Sequence, residues 1–257
     1  MCTPFGELNA VLADLVASVR DILRSTYIGT YVQGSFALGA GDMHSDCDFI
    51  IVTTVAPQGM PEQQLRALHD DIPTRPGHWT KHLEGSYADA PSLRSVDGIG
   101  TPWLFNDHGH RELTWDTHCN NAYSRWILRN HGITVDGPPI EDLVDEVPPA
   151  ALRSSMRAAM PTVLTDILAW APPDVAWTQR YIVATYCRTL YTLRTAQVAS
   201  KRGALEWALT TLDQRWAPLL TQVIEDRDLG WQPTEPPRPG SLAATYDFAA
   251  YAQSLAD

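Results

Sequence analysis

Residues 27–54 carry the sequence YIGTYVQGSFALGAGDMHSDCDFIIVTT. Its first part, Tyr27–Val32, is rich in β-branched and aromatic residues and predicts a strand. A small, partly apolar segment, Phe36–Ala40, predicts a short helix that a loop follows. The stretch ends in Phe49–Val52, a continuous apolar run that predicts a buried strand. Two strands joined by a short helix and a loop are therefore expected here.

The short helix is preceded by Gly34 and Ser35, at the exit from the first strand. Glycine lets the backbone approach a bulky anion at a point where a Cβ would clash. Ser35 opens the helix, so free N–H groups, a hydroxyl and the positive end of the helix dipole face the same point. The pattern predicts a phosphate-binding turn at Gly34 and Ser35.

Two carboxylates, Asp46 and Asp48, stand directly before the second apolar run. At positions i and i+2 of an extended chain both side chains leave the same face, with Cys47 on the other. Their Cα atoms are expected roughly 6–7 Å apart, which lets both reach one Mg²⁺ at about 2.0–2.1 Å per oxygen. Two facing carboxylates repel each other unless a cation lies between them. The pair predicts a Mg²⁺ site suited to nucleotidyl transfer.

The succession of a strand, a Gly-Ser turn, an Asp-x-Asp pair and a second strand resembles the nucleotidyltransferase superfamily of the DNA polymerase β type. More closely, it resembles the aminoglycoside nucleotidyltransferases of the streptomycin/spectinomycin adenylyltransferase kind. The resemblance runs from Tyr27 to about Gly230 and is closest over Gly34–Thr53. It implies an enzyme with ATP as co-substrate and Mg²⁺ as cofactor, and with Asp46 and Asp48 among its catalytic residues.

The segment Trp79–Ala88 predicts a third strand that carries one acid, Glu84. Members of the resembled superfamily place a third carboxylate on the strand beside the Asp-x-Asp strand, where it can activate the acceptor hydroxyl. Glu84 matches that catalytic role by its order in the chain and by the Leu-Glu-small pattern around it. Asp89 and Asp97 are alternatives for the base, and an exposed strand glutamate without a chemical role also fits the pattern.

An irregular segment, Ser92–Asn121, is rich in polar and aromatic residues. A long loop of this composition inside a compact domain is more often functional than idle. Its histidines His108, His110 and His118 lack the spacing and the cysteine partners of a zinc site, so no zinc centre is predicted from them. We expect the segment to line the acceptor pocket, with hydrogen bonds that merely pin the loop as the alternative. The candidate substrate-binding residues are Trp115, Asp116 and His118.

The net charge is −11, and the 19 basic residues include only two lysines, Lys81 and Lys201. Because a phosphate backbone requires a basic surface, a nucleic-acid partner is not expected. An acidic protein instead attracts a cationic small molecule. An apolar content of 44% is typical of a soluble globular protein. No apolar run approaches the roughly 18 residues of a membrane span, so no membrane partner is expected.

The cysteines lie far apart without metal-binding spacing, which predicts isolated thiols of a reducing cytosol and hence a cytoplasmic protein. An amphipathic helix over residues 7–24 is a better interpretation of the N-terminus than a signal peptide, because Asp14 interrupts its apolar residues. We expect a monomer. The cysteines are Cys2, Cys47, Cys119 and Cys187.

A proline-rich, acidic connector over residues 136–149 divides the chain. We expect a nucleotidyltransferase domain with a small mixed α/β sheet over residues 1–148. An α-helical bundle over residues 149–257 is expected to close a cleft over it. Helices are predicted over 61–71, 122–130, 150–170 with a kink or split at Pro161, 178–199, 201–212, 216–228 and from a cap at Ser241 to the end.

Lys201 opens one of these helices, where a positive charge opposes the helix dipole. An anion held between the lysine and the free N–H groups would explain its position. In the resembled family a lysine at this place contacts the nucleotide triphosphate, and an arginine on the preceding helix matches Arg188. The resemblance therefore implies that Arg188 and Lys201 bind ATP, with an internal salt bridge as the alternative for Arg188.

One position departs from the family pattern. Members that modify streptomycin carry an acidic residue just ahead of the helix that bears the arginine, and the corresponding residue here is Thr178. Asp174 is nearby but out of register. The departure leaves the transfer chemistry untouched, and at this substrate-binding position it favours spectinomycin over streptomycin.

The sequence predicts Mg²⁺-dependent transfer of AMP from ATP to a hydroxyl of a small molecule, with an aminoglycoside or aminocyclitol antibiotic as the favoured acceptor. Two alternatives stay open. One is a protein-modifying nucleotidyltransferase of the toxin–antitoxin type, against which the size of the helical domain argues. The other is a non-catalytic nucleotide-binding protein, against which the intact Gly-Ser, Asp-x-Asp and Glu set argues.

Overall fold

The computed structural model describes residues 2–256. The chain divides into two compact units, Met1–Val147 and Pro148–Asp257. The first unit contains a mixed sheet with helices, and the second is helical. This arrangement confirms the predicted fold class, a mixed α/β domain followed by an all-α domain.

The sheet of the first unit is built around a parallel pair of strands. The strands are β1 (Tyr27–Val32), β2 (Cys47–Thr53), β3 (Leu83–Asp89), β4 (Trp103–Asn106), β5 (Leu113–Asp116) and β6 (Ile133–Asp136). Over the described residues their spatial order is β5-β4-β3-β2-β1-β6. β2 and β3 run parallel, and the other neighbouring pairs run antiparallel. The parallel pair fixes the register between the Asp-x-Asp segment and the strand that carries Glu84.

The helices of the first unit are α1 (Gly6–Leu23), α2 (Gly34–Ala37), α3 (Met60–Asp71), α4 (Ala90–Arg94) and α5 (Ala122–His131). Apolar residues cover both faces of the sheet. Phe49 and Ile51 pack with the core residues of α1 and α3, whereas Ile50 packs on the opposite face with Leu128 of α5. Burial on both faces explains why β2 is a continuous apolar run instead of an alternating one.

Two sequence predictions for this unit are wrong. Trp79–Lys81 forms a short 3-10 helix, and the strand begins only at Leu83. The Trp79 ring packs at 5.2 Å from that of Phe5, so its apolar character serves the core and not a strand face. The segment Ser92–Asn121 is not irregular throughout, because it contains β4 and β5. Each of these strands has only four residues, too few for a clear alternation, and polar turns flank them.

The second unit is organised around one long helix. Its helices are α6 (Pro149–Ala159), α7 (Val163–Leu168), α8 (Ala176–Thr195), α9 (Lys201–Thr211), α10 (Ala217–Glu225) and α11 (Ser241–Ser254). α8 packs against α6, α7, α9, α10 and α11, and its apolar residues form the centre of the core. The chain breaks between α6 and α7 around Pro161, as the sequence predicted. Ser241 is the first residue of α11, and Gly240, not Ser241, occupies the cap position.

The four cysteines are free thiols, and Cys47, Cys119 and Cys187 are buried. Burial raises the pKa of the Cys47 thiol, which keeps it protonated and unreactive. Within residues 2–256, none of the helices has both the length and the apolar character that a bilayer span requires.

Candidate active site

The parallel strands place Asp48 opposite Glu84 in register. Residues paired in this way on neighbouring strands lie about 4.7–4.9 Å apart, and their side chains leave the same face of the sheet. Cys47 is fully buried in the core on the opposite face, as the alternation along an extended chain requires. The carboxylates of Asp48 and Glu84 therefore leave the sheet side by side, near the start of both strands.

Gly34 lies directly against Asp48. Its φ is +62°, in the left-handed region, and a Cβ built on Gly34 would overlap Oδ2 of Asp48. The N–H of Gln33 donates to the backbone carbonyl of Asp48 at 2.8 Å, which fixes the start of α2 beside β2. A side chain at position 34 would thus be strained and would also displace the carboxylate, so only glycine fits.

The hydroxyl of Ser35 is buried and has no hydrogen-bond partner among residues 2–256. A buried polar group without a partner costs about 1–3 kcal/mol. A phosphate oxygen at the start of α2 would satisfy this hydroxyl, because it can accept the O–H. The orphaned group therefore fits the phosphate-binding role predicted for Gly34 and Ser35.

Asp46 lies just before β2, and two histidines contact its carboxylate. Nδ1 of His82 is 3.8 Å from Oδ1 of Asp46, and Nδ1 of His108 touches the same oxygen. The contact with Asp46 raises the pKa of His108. Burial, reinforced by repulsion from His108 and His78, lowers the pKa of His82. Sequence reasoning did not connect these histidines with Asp46, since the pairing of β2, β3 and β4 brings them together and no local spacing signals it.

Glu84 has a histidine contact of its own. Nε2 of His118 is 3.5 Å from Oε1 of Glu84, and this carboxylate raises the pKa of His118. The imidazole also packs against the ring of Phe105, with 5.2 Å between the centroids. The structure thus brings one of the three predicted acceptor-contacting residues of this segment to the predicted base.

Trp115 and Asp116 lie on β5 and are partly engaged within the protein. The indole Nε1 of Trp115 donates to Glu62 at 3.2 Å, although 40% of the residue is exposed. Asp116 accepts a hydrogen bond from the backbone N–H of His118 at 2.7 Å. These bonds pin the segment and still leave the Trp115 ring accessible to a ligand.

The alternative bases have other partners. Asp89 caps α4 by accepting the N–H of Ser92 at 3.0 Å, and Asp97 accepts from the hydroxyl of Ser95 at 3.3 Å in an exposed turn. Asp89 lies at the far end of β3 from Glu84, opposite Thr53. Glu84 is therefore the acid of these three that faces Asp48.

The second unit holds the predicted nucleotide-binding pair. Lys201 is the first residue of α9, whose cap Ser200 accepts the N–H of Gly203 at 3.1 Å. Its Nζ lies 4.9 Å from the ring centroid of Tyr181 and 5.8 Å from that of Trp231. Cation–π contact with two aromatic faces offsets part of the unfavourable helix dipole. Arg188 lies on α8, which packs against α9.

An aromatic cluster near the start of α8 was missed by the sequence analysis. It consists of Trp170, Trp177, Tyr181 and Trp231. Its rings pack at centroid distances of 4.7–5.9 Å, and Trp170 and Trp231 are 58% and 42% exposed. The i, i+4 spacing of the two members on α8 was the available signal. Thr178, between them, is fully buried, and its hydroxyl has no hydrogen-bond partner in the described chain.

Comparison with protein families gives a match over residues 142–229 to the aminoglycoside adenylyltransferase C-terminal domain. The chain is 25% identical over 241 residues to an aminoglycoside (3'') (9) adenylyltransferase of Shigella flexneri. The alignment covers 84% of this chain and 84% of the relative. It is also 25% identical over 230 residues to a spectinomycin 9-adenylyltransferase of Campylobacter jejuni, over 86% of this chain and 85% of the relative.

Among solved structures, the chain is similar to a spectinomycin adenyltransferase from Enterococcus faecialis that was crystallised with ATP and spectinomycin. The TM-score is 0.73 at 13% identity, over 95% of this chain and 97% of the other, which shows a common fold. The family match and the relatives confirm the resemblance that the Gly-Ser and Asp-x-Asp segment predicted. Over most of its length the chain is accordingly similar to the aminoglycoside and spectinomycin adenylyltransferases.

Proposed function

We propose that this chain transfers AMP from ATP to a hydroxyl of a small cationic acceptor of the aminoglycoside or aminocyclitol class. The observation that carries the proposal is the in-register pairing of Asp48 with Glu84 across β2 and β3, with Gly34 packed against Asp48. Two carboxylates on one face beside a phosphate-binding turn suit the transfer of a phosphoryl-linked group. The relatives named for aminoglycoside and spectinomycin adenylylation support the choice of acceptor class.

Asp46 and Asp48 would hold Mg²⁺. Their carboxylate oxygens are the donors that this hard cation prefers, and the sheet face that bears Asp48 also bears Glu84. When bound, Mg²⁺ would supply positive charge that stabilises the transferred group and the departing pyrophosphate. The donor set therefore fits the cofactor that the resemblance implies.

Gly34, Ser35, Arg188 and Lys201 are the residues proposed to bind the triphosphate. Gly34 packs against Asp48 at the start of α2, and Ser35 beside it offers its orphaned hydroxyl. In the second unit, Arg188 and Lys201 would supply positive charge, as their counterparts in the resembled family do. Holding ATP in one orientation is a large part of catalysis in this chemistry, because phosphoryl transfer depends mainly on positioning and electrostatic stabilisation.

Glu84 would accept the proton of the acceptor hydroxyl as that oxygen attacks the α-phosphate. His118, 3.5 Å away, would restrain the carboxylate by its contact with Oε1. General base catalysis of this kind contributes typically about 10²–10⁴ in rate, or about 3–5.5 kcal/mol. Trp115, Asp116 and His118 would contact the acceptor near this base.

The acceptor that we favour is spectinomycin. Streptomycin carries two guanidinium groups, and a buried cation without a carboxylate partner is costly. Thr178 stands where the streptomycin-modifying members of the family carry an acid, and its uncharged side chain cannot supply that partner. Spectinomycin is smaller, carries methylamino groups in place of guanidinium groups and depends less on this position.

Pyrophosphate release from ATP and Mg²⁺ tests the function and its selectivity in one screen. The purified chain is assayed with spectinomycin, streptomycin, other aminoglycosides and a panel of purified proteins. We expect release with spectinomycin and weak or absent release with streptomycin. Strong turnover of streptomycin would contradict the assignment of Thr178. Release with a protein acceptor and with none of the antibiotics would overturn the proposed acceptor class.

A further inference from the structure

Beside the predicted Mg²⁺ ligands, the structure assembles a second group of donor atoms. Asp46, His82 and His108 each offer one ligand atom, and these three atoms all lie within 4.8 Å of one another. The three side chains are half-buried, with 27%, 31% and 38% of their surfaces exposed, so an ion could reach them from solvent. The two nitrogens come from segments that are distant from Asp46 in the sequence. For that reason no local sequence spacing predicts this group of donors.

The backbone holds these segments together independently of their side chains. The N–H of Cys47 donates to the carbonyl of His82 at 2.7 Å, which fixes His82 beside Asp46. Gly109, next to His108, has φ +65°, and a Cβ built there would lie 2.8 Å from the carbonyl oxygen of Lys81. The turn that carries His108 therefore packs tightly on the residue before His82, and only glycine permits that approach.

The two imidazoles converge on the same oxygen of Asp46. The ring centroids of His82 and His108 are 4.7 Å apart, and His78 stacks on His82 with 4.1 Å between the centroids. Nδ1 of His108 touches Asp46 but is buried without an aligned hydrogen bond within the described chain. Two imidazole nitrogens and one carboxylate oxygen that converge in this way can share one cation.

We propose that Asp46, His82 and His108 bind a borderline-soft divalent cation of the Zn²⁺ class. Two histidine nitrogens and one carboxylate oxygen, with water in the fourth position, are a donor set that Zn²⁺ takes and Mg²⁺ avoids. Tetrahedral bonds of about 2.0–2.1 Å require donors about 3.3 Å apart. The present spacing of up to 4.8 Å thus calls for side-chain adjustment of about an ångström and no backbone rearrangement.

Such a site would share Asp46 with the proposed Mg²⁺ site. An oxygen of Asp46 bound to Zn²⁺ is no longer available to Mg²⁺ in the same geometry, so the two cations would compete. Zinc would then act as a reversible inhibitor that excess Mg²⁺ relieves. The binding itself requires neither ATP nor an acceptor, so it can be examined even if the proposed AMP transfer is not observed.

The test measures metal binding to the purified full chain without nucleotide. Zn²⁺ is titrated against a competing chromophoric chelator, and Co²⁺ is added in its place so that its visible absorption reports tetrahedral coordination. His82→Ala and His108→Ala remove one ligand each. His110→Ala is the matched control, because His110 lies in the same turn with a 67% exposed side chain and contacts Asp107 instead. Circular dichroism and thermal unfolding confirm that each variant folds.

We expect one Zn²⁺ per wild-type chain, tetrahedral Co²⁺ absorption, and affinity at least about 10-fold weaker in both ligand variants, with the His110→Ala control unchanged. Wild-type affinity in both His82→Ala and His108→Ala would overturn the proposal, as would the lack of a tetrahedral Co²⁺ spectrum in the wild type. A loss confined to His110→Ala would likewise place any bound metal elsewhere.

Discussion

Glu84 faces Asp48 across the parallel strands, and His118 contacts it from the side. This position fits the base that we propose for the acceptor hydroxyl, a role that the sequence indicated only by strand order. The base must lie on the same face as the metal-binding carboxylates to reach an oxygen that attacks the same phosphate. The register between β2 and β3 provides this arrangement.

Replacing Glu84 by Gln keeps its shape and removes the base. We expect the single-turnover rate of AMP transfer to fall by about 10²–10⁴, while the affinity for ATP, measured by calorimetry, changes little. Glu112→Gln is the control, since Glu112 is exposed on the approach to β5. Loss of ATP binding with an unchanged rate per bound complex would instead make Glu84 a metal-binding or structural group.

At the residue scale, a close approach at Gly34 could be predicted, because it depends on local chain geometry. The tight approach of Gly34 to Asp48 needs a residue without a Cβ. The Mg²⁺ site at Asp46 and Asp48 stays a prediction. The histidines around Asp46 could not be predicted, because their proximity depends on long-range strand pairing. Sequence spacing does not encode which strands become neighbours.

For helices and strands with a clear run or repeat of apolar residues, the predicted bounds are close to the observed ones. β1 has the predicted bounds, Tyr27–Val32, and α9 begins at Lys201 behind the predicted cap. β4 and β5 were missed because four-residue strands give too little periodicity to register. The four-residue strand β6, between α5 and the proline-rich connector, was not predicted for the same reason.

A buried histidine of α3, His69, packs against the sheet. Nε2 of His69 lies 2.8 Å from the hydroxyl of Tyr87, and its ring stacks on Phe49 with 6.0 Å between centroids. Desolvation lowers the pKa of His69 to about 4. The sequence showed only a polar residue in an amphipathic helix, with no sign that it would be fully enclosed.

This pKa predicts a pH-dependent stability. Between about pH 6.5 and pH 4 the unfolded chain binds a proton at His69 that the folded chain excludes, so stability is complete above pH 6.5 and falls as the pH is lowered. At pH 5 the loss is about 2 kcal/mol. We expect His69→Gln to remove this part of the decrease in unfolding free energy between pH 7.5 and pH 5, measured by urea denaturation.

The exposed His131 on α5 supplies the control for that measurement. His131→Gln should retain the full wild-type pH dependence, because the His131 side chain is exposed and is not enclosed in the core as His69 is. An equal decrease in the wild type and in His69→Gln would show that other groups cause the acid destabilisation.

Across the whole molecule, an acidic chain of net charge −11 keeps one of its two lysines at the start of α9. The sequence could identify Lys201 as unusual, because a cation opposes the dipole there. It could not identify the aromatic rings of Tyr181 and Trp231 that surround the ammonium, since these come from another helix and from a loop. The aromatic contacts explain how the charge is tolerated, and the proposed triphosphate explains why it is useful.

Lys201→Ala should weaken binding of ATP with Mg²⁺ much more than binding of AMP, because the lysine is proposed to contact the outer phosphates. Calorimetry with both nucleotides measures the difference. Arg202→Ala is the matched control, as the exposed Arg202 pairs with Glu206 at 2.9 Å one turn along the same helix. Equal losses for ATP and AMP would place Lys201 away from the triphosphate.

The most direct measurement of the central claim is the mass of the acceptor after incubation with ATP and Mg²⁺, for the wild type and for Asp48→Asn. We predict that the wild-type chain adds one AMP to spectinomycin. Asp48→Asn should add none while it keeps the wild-type circular dichroism, because it removes the proposed metal-binding charge near the start of β2 and no apolar packing. Asp14→Asn, on the exposed side of α1, should behave as the wild type. Transfer at the wild-type rate by Asp48→Asn would contradict the account.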